Sequence, residues 1–204
     1  MGLQMIVMSV GMVLYMQVVN RFGSDTAAAY AAGMQLWNYI QMPAFALGAA
    51  VSAMAAQNIG AGLWDRVRET TRVALGFNLL LTGLPVLVLY FLDRPLLGLF
   101  LPAGSPAIEI AHGIDQIVLW SFPLFGVTMV LSGVVRAAGA VVAPLLILVV
   151  TMLGFRAMAA FWAIDHYGAN GVWWVAAWTT VLGFVLTGAY YLAGSWRQAK
   201  LVTA

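Results

Sequence analysis

Long apolar stretches alternate with short polar segments along the whole chain. Six of these stretches reach about the 20 residues that an α-helix needs to cross a bilayer, and the breaks between them carry glycine, proline and charged residues. The pattern predicts an all-α integral membrane protein in which residues 1–204 form one lobe, a bundle of six transmembrane helices. The predicted spans are residues 1–20, 31–58, 73–92, 111–135, 144–164 and 172–194.

The second predicted span carries polar side chains at helical spacing. Gln35, Asn38 and Gln41 lie three residues apart, near one face of a helix, and the stripe continues through Phe45 and Ser52. An unpartnered amide in hydrocarbon costs about 1–3 kcal/mol, so we expect the stripe to face protein or water. The other faces, which we expect to contact lipid, carry Leu36, Met42, Leu47, Val51 and Met54.

Two interpretations of this amide stripe are open on the residues alone. The amides can join helices through hydrogen bonds, or they can line a solute cavity. A methionine stripe that includes Met8 and Met12 allows a similar choice, because methionine adapts to varied partners but also packs against lipid and other helices. The cavity candidates are Gln35, Asn38, Gln41, Met8, Met12, Phe45 and Ser52.

Basic residues indicate which way the chain crosses the membrane. The loop after the second span contains Arg66, Arg68 and Arg72, and the break after the fourth contains Arg136. Because basic residues concentrate on the cytoplasmic side, we expect these loops and both termini to be cytoplasmic. Arg156 is an exception inside the fifth span, where a lone charge is costly. We expect it to find a partner or to extend towards the interface.

Composition excludes a soluble protein. Hydrophobic residues make up 63% of the chain and charged residues 8%, with a mean hydropathy of +0.95, whereas about a quarter of a soluble domain is charged. The absence of cysteine excludes disulfides and thiolate metal sites. No enzyme or nucleotide-binding motif is found, and a net charge of +2 gives no indication of nucleic-acid binding. We expect no metal and no cofactor.

The acids bear on ion coupling, because coupled transporters commonly use a carboxylate within the membrane. Asp93 and Glu109 fall in predicted turns, and His112 is expected to be solvated at the boundary. Asp115 falls about one turn into the fourth span. It is a candidate for linkage to a proton or ion, although the helix dipole also favours an acid near a helix N-terminus.

A set of motifs covers most of the chain. The most specific is AAQNIGAG at residues 55–62 with Arg66 downstream, and further segments are GSDTAAAY (23–30), GVVRAAG (133–139) and GANGVW (168–173). Together they resemble helices seven to twelve of the twelve-helix multidrug and toxic compound extrusion (MATE) family. The positions that match the family's motifs are Pro43, Gln57, Asn58, Gly60, Gly62, Arg66 and Arg136.

That resemblance implies one lobe of a two-lobe antiporter of the bacterial inner membrane, with the N-terminal lobe as its missing partner. It implies export of organic cations or amphipathic, drug-like compounds in exchange for H⁺ or Na⁺, and it places the amide stripe at the cavity between lobes. The sodium-coupled branch has acids in its seventh and tenth helices. The corresponding places, near Met8 or Ser9 and near Phe125, are not acidic. We therefore expect coupling through an aspartate of the missing lobe.

Two alternatives come from other functional classes. One is a lipid-linked saccharide flippase of the same superfamily, which tends to carry cationic cavity residues, and Arg156 is the candidate for that role. The other is a non-transporting truncated half or accessory membrane subunit, whose stability should not change with substrate.

Overall fold

The computed structural model describes residues 2–198, and it describes the side chains of residues 6–197. The chain is helical over this range, with no strand among the residues described. The helices are α1 (Gly2–Asn20), α2 (Ser24–Gly60), α3 (Trp64–Leu97), α4 (Pro106–Val118), α5 (Phe122–Ala137), α6 (Val142–Val149) and α7 (Ala157–Ala193). A 3₁₀ turn, Leu119–Ser121, joins α4 to α5, and a π-helical segment, Val150–Arg156, joins α6 to α7.

Apolar helices long enough to cross a membrane dominate the fold. Within residues 2–198, four continuous helical stretches meet this requirement: Ser24–Gly60, Trp64–Leu97, Pro106–Ala137 and Val142–Ala193. Ile6–Asn20, the part of α1 whose side chains are described, is a shorter apolar helix. The chain is therefore an all-α, multi-pass membrane protein, as the hydropathy pattern predicts.

The last stretch, 52 residues long, includes two of the predicted spans, because its helical geometry breaks at Gly168 (φ 62°, ψ −148°). Met152, before the break, and Thr180, after it, line the same cavity. A continuous helix would hold these two residues about 42 Å apart, at about 1.5 Å per residue. The chain therefore folds back at Gly168.

Helix α2 lies at the centre of the bundle and contacts α3, α4 and α5. Its approach to α5 depends on two glycines. A Cβ built at Gly133 would overlap the carbonyl oxygen of Gly48, and a Cβ at Gly48 would lie 3.0 Å from the Met129 carbonyl oxygen. Small residues allow two helix backbones to come this close, so Gly48 and Gly133 set the α2–α5 distance.

The central position of α2 corrects the prediction of its faces. Leu36 and Val51, predicted to contact lipid, are buried at 6% and 2% exposure, whereas Met42 and Met54 are exposed. Gln35 and Asn38 are exposed. The prediction for Leu36 and Val51 is wrong because the apolar side of α2 packs on other helices of the lobe and leaves the amide stripe on the open side.

The positions of the acids also differ from expectation. Asp93 directly follows the kink at Leu92 that joins the two helical segments of α3, and it is buried at 3% exposure. Glu109 lies in the first turn of α4 and not in a turn between helices. His112, expected to be solvated, contacts the Asp93 carboxylate at 2.5 Å. The predicted break at Asp93 is therefore present as a kink at Leu92 (φ −125°). Helical structure resumes after it, and Pro95 falls near the start of the new segment, where proline is tolerated.

Candidate functional site

A cavity of about 290 Å³ opens among α1, α2, α5, the π-helical segment and α7. Seven of the twenty residues that line it are aromatic. The aromatic residues of the wall are Tyr15, Tyr30, Trp37, Phe45, Phe122, Phe125 and Trp173. We call this space the aromatic cavity.

The aromatic wall is held together by contacts among its own members. Tyr30 stacks on Trp173 with ring centroids 5.7 Å apart and planes 17° from parallel, and it packs edge-on against Trp37 at 5.5 Å. The Tyr15 hydroxyl donates a hydrogen bond to the Val172 carbonyl oxygen at 2.9 Å. Because α1, α2 and the second half of α7 supply these groups, the wall exists only in the folded lobe.

The structure brings together five of the seven sequence-predicted cavity residues. Met8, Met12, Asn38, Gln41 and Phe45 line the aromatic cavity. The other two lie outside its wall: Gln35 is exposed and donates from Nε2 to the Tyr39 hydroxyl at 3.2 Å, and Ser52 lies farther along α2 and lines neither cavity described here. The middle of the stripe therefore lines the cavity, and its two ends lie outside the cavity wall.

Arg156, at the end of the π-helical segment, contributes a formal positive charge to the aromatic cavity. Its guanidinium carbon lies 4.0 Å from the centroid of the Tyr15 ring, within range for a cation–π contact. Its Nη1 contacts the Met152 sulfur at 3.8 Å, and its Nε is buried with no hydrogen-bond partner among the residues described. Arg156 thus finds an aromatic partner, and no carboxylate of the described chain pairs with it.

A second cavity of about 320 Å³ adjoins the first and shares part of its wall, including Phe45, Phe125 and Met152. Six hydroxyl-bearing side chains line it, and we call it the hydroxyl cavity. They are Thr128, Ser132, Thr151, Thr179, Thr180 and Thr187. Arg136, half-buried at the end of α5, lines the same space, and its Nε has no hydrogen-bond partner within the described chain.

Sequence reasoning missed the hydroxyl cavity. Thr179, Gly183 and Thr187 lie four residues apart and line it together, a spacing that puts them on one face of a helix. That spacing was the available signal. It could not show which neighbouring helix the stripe faces.

Asp115 is fully buried at 0% exposure. Its Oδ1 accepts a hydrogen bond of 2.7 Å from Trp37 Nε1, and its Oδ2 has no hydrogen-bond partner within residues 2–198. The Trp37 ring lines the aromatic cavity, so Asp115 lies behind the cavity wall and not in it. The described part of the chain holds no group of three His, Cys, Asp or Glu side chains suited to a metal ion.

Five of the seven family-motif residues lie around the end of α2. The Asn58 side chain donates to the Met54 carbonyl oxygen at 2.8 Å, and α2 ends at Gly60. Gly62 adopts φ +73°, a left-handed conformation that favours glycine. Gln57 and Arg66 are exposed beside this turn, and Pro43 lies inside α2. Apart from Arg136, none of these residues lines either cavity, and those from Gln57 to Arg66 lie around the turn between α2 and α3.

The sequence is similar to known membrane-protein sequences. The sequence model of the MatE family matches residues 1–162. The chain is 36% identical over 84% of its length to the probable multidrug resistance protein YoeA of Bacillus subtilis, and 31% identical over 99% of its length to the probable multidrug resistance protein YpnP of the same organism. The matched parts make up 37% and 45% of those relatives, so the chain spans less than half of their length.

A solved structure shows the same fold. The Vibrio cholerae MATE transporter VcmN in its bent form superposes with a TM-score of 0.86 at 21% sequence identity, covering 96% of this chain and 44% of that one. The superposed portion therefore corresponds to one lobe of the larger transporter. Together, the family match over residues 1–162 and the shared fold show that this chain belongs to the MatE family of membrane transporters.

Proposed function

We propose that this chain forms one lobe of a secondary active efflux antiporter that exports organic cations or amphipathic, drug-like compounds in exchange for H⁺ or Na⁺. The aromatic cavity carries the proposal. Aromatic rings and methionine side chains accommodate varied apolar ligands, and Asn38 and Gln41 supply hydrogen-bonding groups in the same wall. This chain would lie in the inner membrane with both of its termini in the cytoplasm, and a complementary N-terminal lobe would complete the site.

Two positions are candidates for ion coupling. One is Asp115, whose Oδ1 accepts a hydrogen bond from Trp37 in the cavity wall. Protonation or cation binding at Asp115 would change this hydrogen bond, and with it the position of a residue that would contact the solute. The other is an aspartate of the complementary lobe. Neither cavity has an acid in its wall among the described residues, so Asp115 and an aspartate of the complementary lobe are both retained as candidates.

Transport is tested in bacteria that lack their own drug-efflux pumps. We expect cells that express this chain alone to accumulate ethidium as fast as control cells. Co-expression with the N-terminal half of the Bacillus subtilis relative YoeA should lower accumulation and raise the inhibitory concentration of ethidium several-fold. Full efflux by the chain alone would contradict the need for a second lobe. Absence of efflux in either case, both of ethidium and of an anionic dye such as fluorescein, would contradict the proposed function.

Replacing Asn38 and Gln41 together by alanine is expected to weaken the binding of amphipathic dyes about 5- to 150-fold, because each lost hydrogen bond contributes about 0.5–1.5 kcal/mol. Quenching of intrinsic fluorescence measures this, since Trp37 and Trp173 lie in the cavity wall. Gln35→Ala is the matched control, because Gln35 lies on the same stripe but outside the cavity. Equal losses in the control and in the double variant would remove the cavity from the proposal.

A lipid-linked saccharide flippase is a second candidate. The specific observation in its favour is Arg156 in the wall of the aromatic cavity, because a guanidinium can pair with the phosphates of such a lipid.

A further inference from the structure

The walls of both cavities carry positive charge and, among the residues described, no negative charge. Arg156 lines the aromatic cavity and Arg136 lines the hydroxyl cavity. The acid behind the wall is Asp115, and its hydrogen-bonding contact is with Trp37. The two cavities adjoin, so a solute that reaches either of them meets a guanidinium.

Both arginines retain hydrogen-bonding capacity. Arg156 contacts the face of Tyr15 and the sulfur of Met152, which leaves the edge of its guanidinium without a carboxylate partner in the described chain. On the surface, by comparison, Arg94 pairs with Glu109 through two hydrogen bonds of 3.0 and 2.9 Å. Among the residues described, Arg156 and Arg136 have no such carboxylate partner.

A guanidinium presents its N–H groups in a planar fork that matches a carboxylate, sulfonate or phosphate. Around Arg156 the aromatic rings would hold the apolar part of the same molecule. A cationic solute in this space would instead meet a like charge in surroundings of reduced dielectric, where repulsion is stronger than in water. We infer that the solute transported by this lobe is an amphiphile with an anionic group. Arg156 binds this group in the aromatic cavity, and Arg136 binds it when the solute moves into the adjoining hydroxyl cavity.

This inference rests on the proposed transport function and narrows its substrates. The shared chemistry is an anionic group on an apolar body. Such a group has two possible sources, a small aromatic anion or the phosphate of a polyprenyl lipid, and the experiment below separates them.

The test uses two xanthene dyes of similar shape and opposite charge, fluorescein at pH 8 and rhodamine 123, with the purified full chain in detergent. We expect fluorescein to bind at least 10-fold more tightly than rhodamine 123. Arg156→Gln should weaken fluorescein binding at least 10-fold and leave rhodamine 123 unchanged or tighter. Arg156→Lys, which keeps the charge, should lose less than Arg156→Gln.

Tighter binding of rhodamine 123 than fluorescein, equal weakening of both dyes by Arg156→Gln, or no fluorescein binding at all would overturn the inference. If Arg156→Gln does not fold, Arg136→Gln gives the same comparison in the adjoining cavity, with a smaller expected loss of about 3-fold for fluorescein alone. Equal losses for both dyes in that variant would count against the inference.

Undecaprenyl phosphate identifies the source of the anion. Displacement of fluorescein by this lipid supports a lipid phosphate, and displacement by naphthalene sulfonate without displacement by the lipid supports a small aromatic anion. Efflux of ethidium by cells, together with absent fluorescein binding, overturns this inference but leaves the proposed transport function in place. Fluorescein binding without efflux of any compound would support this inference about the ligand and overturn the proposed transport function.

Discussion

Replacing Gly133 by alanine is expected to lower the melting temperature of the lobe by roughly 2–12 °C. The new Cβ would overlap the carbonyl oxygen of Gly48, and because that oxygen belongs to the backbone of α2, the two helices must separate. Overpacking of this kind costs about 1–3 kcal/mol, and in a chain of this size each kcal/mol shifts the melting temperature by about 2–4 °C. Thermal unfolding of the purified chain in detergent measures the change.

Gly76→Ala is the matched control for this prediction. Gly76 lies inside α3, and a Cβ built there has no atom within 4 Å, so alanine replaces a poor helix former without a clash. The gain in helix propensity is up to about 1 kcal/mol, and the melting temperature should stay level or rise. A fall for Gly76→Ala equal to that for Gly133→Ala would show that the Gly48 contact is not the cause.

Two substitutions of Asp115, by alanine and by asparagine, are expected to have different effects on the melting temperature. Asp115→Ala removes the acceptor of the 2.7 Å hydrogen bond from Trp37 Nε1 and leaves a buried indole N–H without a partner, at a cost of about 1.5–3 kcal/mol. Asp115→Asn keeps an oxygen acceptor in the same place but removes the ionisable group. We expect Asp115→Ala to lower the melting temperature clearly and Asp115→Asn to change it little.

The pair of variants separates a structural role from an ion-linked one. If Asp115 couples transport to H⁺ or Na⁺, cells with Asp115→Asn in the two-lobe system should lose ion-driven ethidium efflux although the protein remains folded. Trp37→Phe, which removes the N–H but keeps a ring in the cavity wall, should lower stability without abolishing the dependence on the ion. Undiminished efflux by Asp115→Asn would instead place coupling in the complementary lobe.

Sequence alone was sufficient for the class of protein and its helical bundle. Hydropathy is a local property, since each span must be apolar over about 20 consecutive residues to cross a bilayer. The stripe of Asn38 and Gln41 was equally accessible, because residues three or four apart share a helix face whatever the helix packs against. The break at Gly168 and the left-handed turn at Gly62 also follow from the chain's own residues, since glycine favours such conformations.

The tertiary structure decided which of those faces meet protein and which stay open. Leu36 and Val51 are as apolar as a lipid-facing residue, and only the central position of α2 shows that they are buried. Gln35 and Asn38 belong to one stripe, yet only Asn38 lines the cavity. Arg156 over Tyr15, Asp115 behind Trp37 and the threonines of the hydroxyl cavity join residues far apart in the chain. No local pattern encodes such pairs, because they depend on how the helices pack.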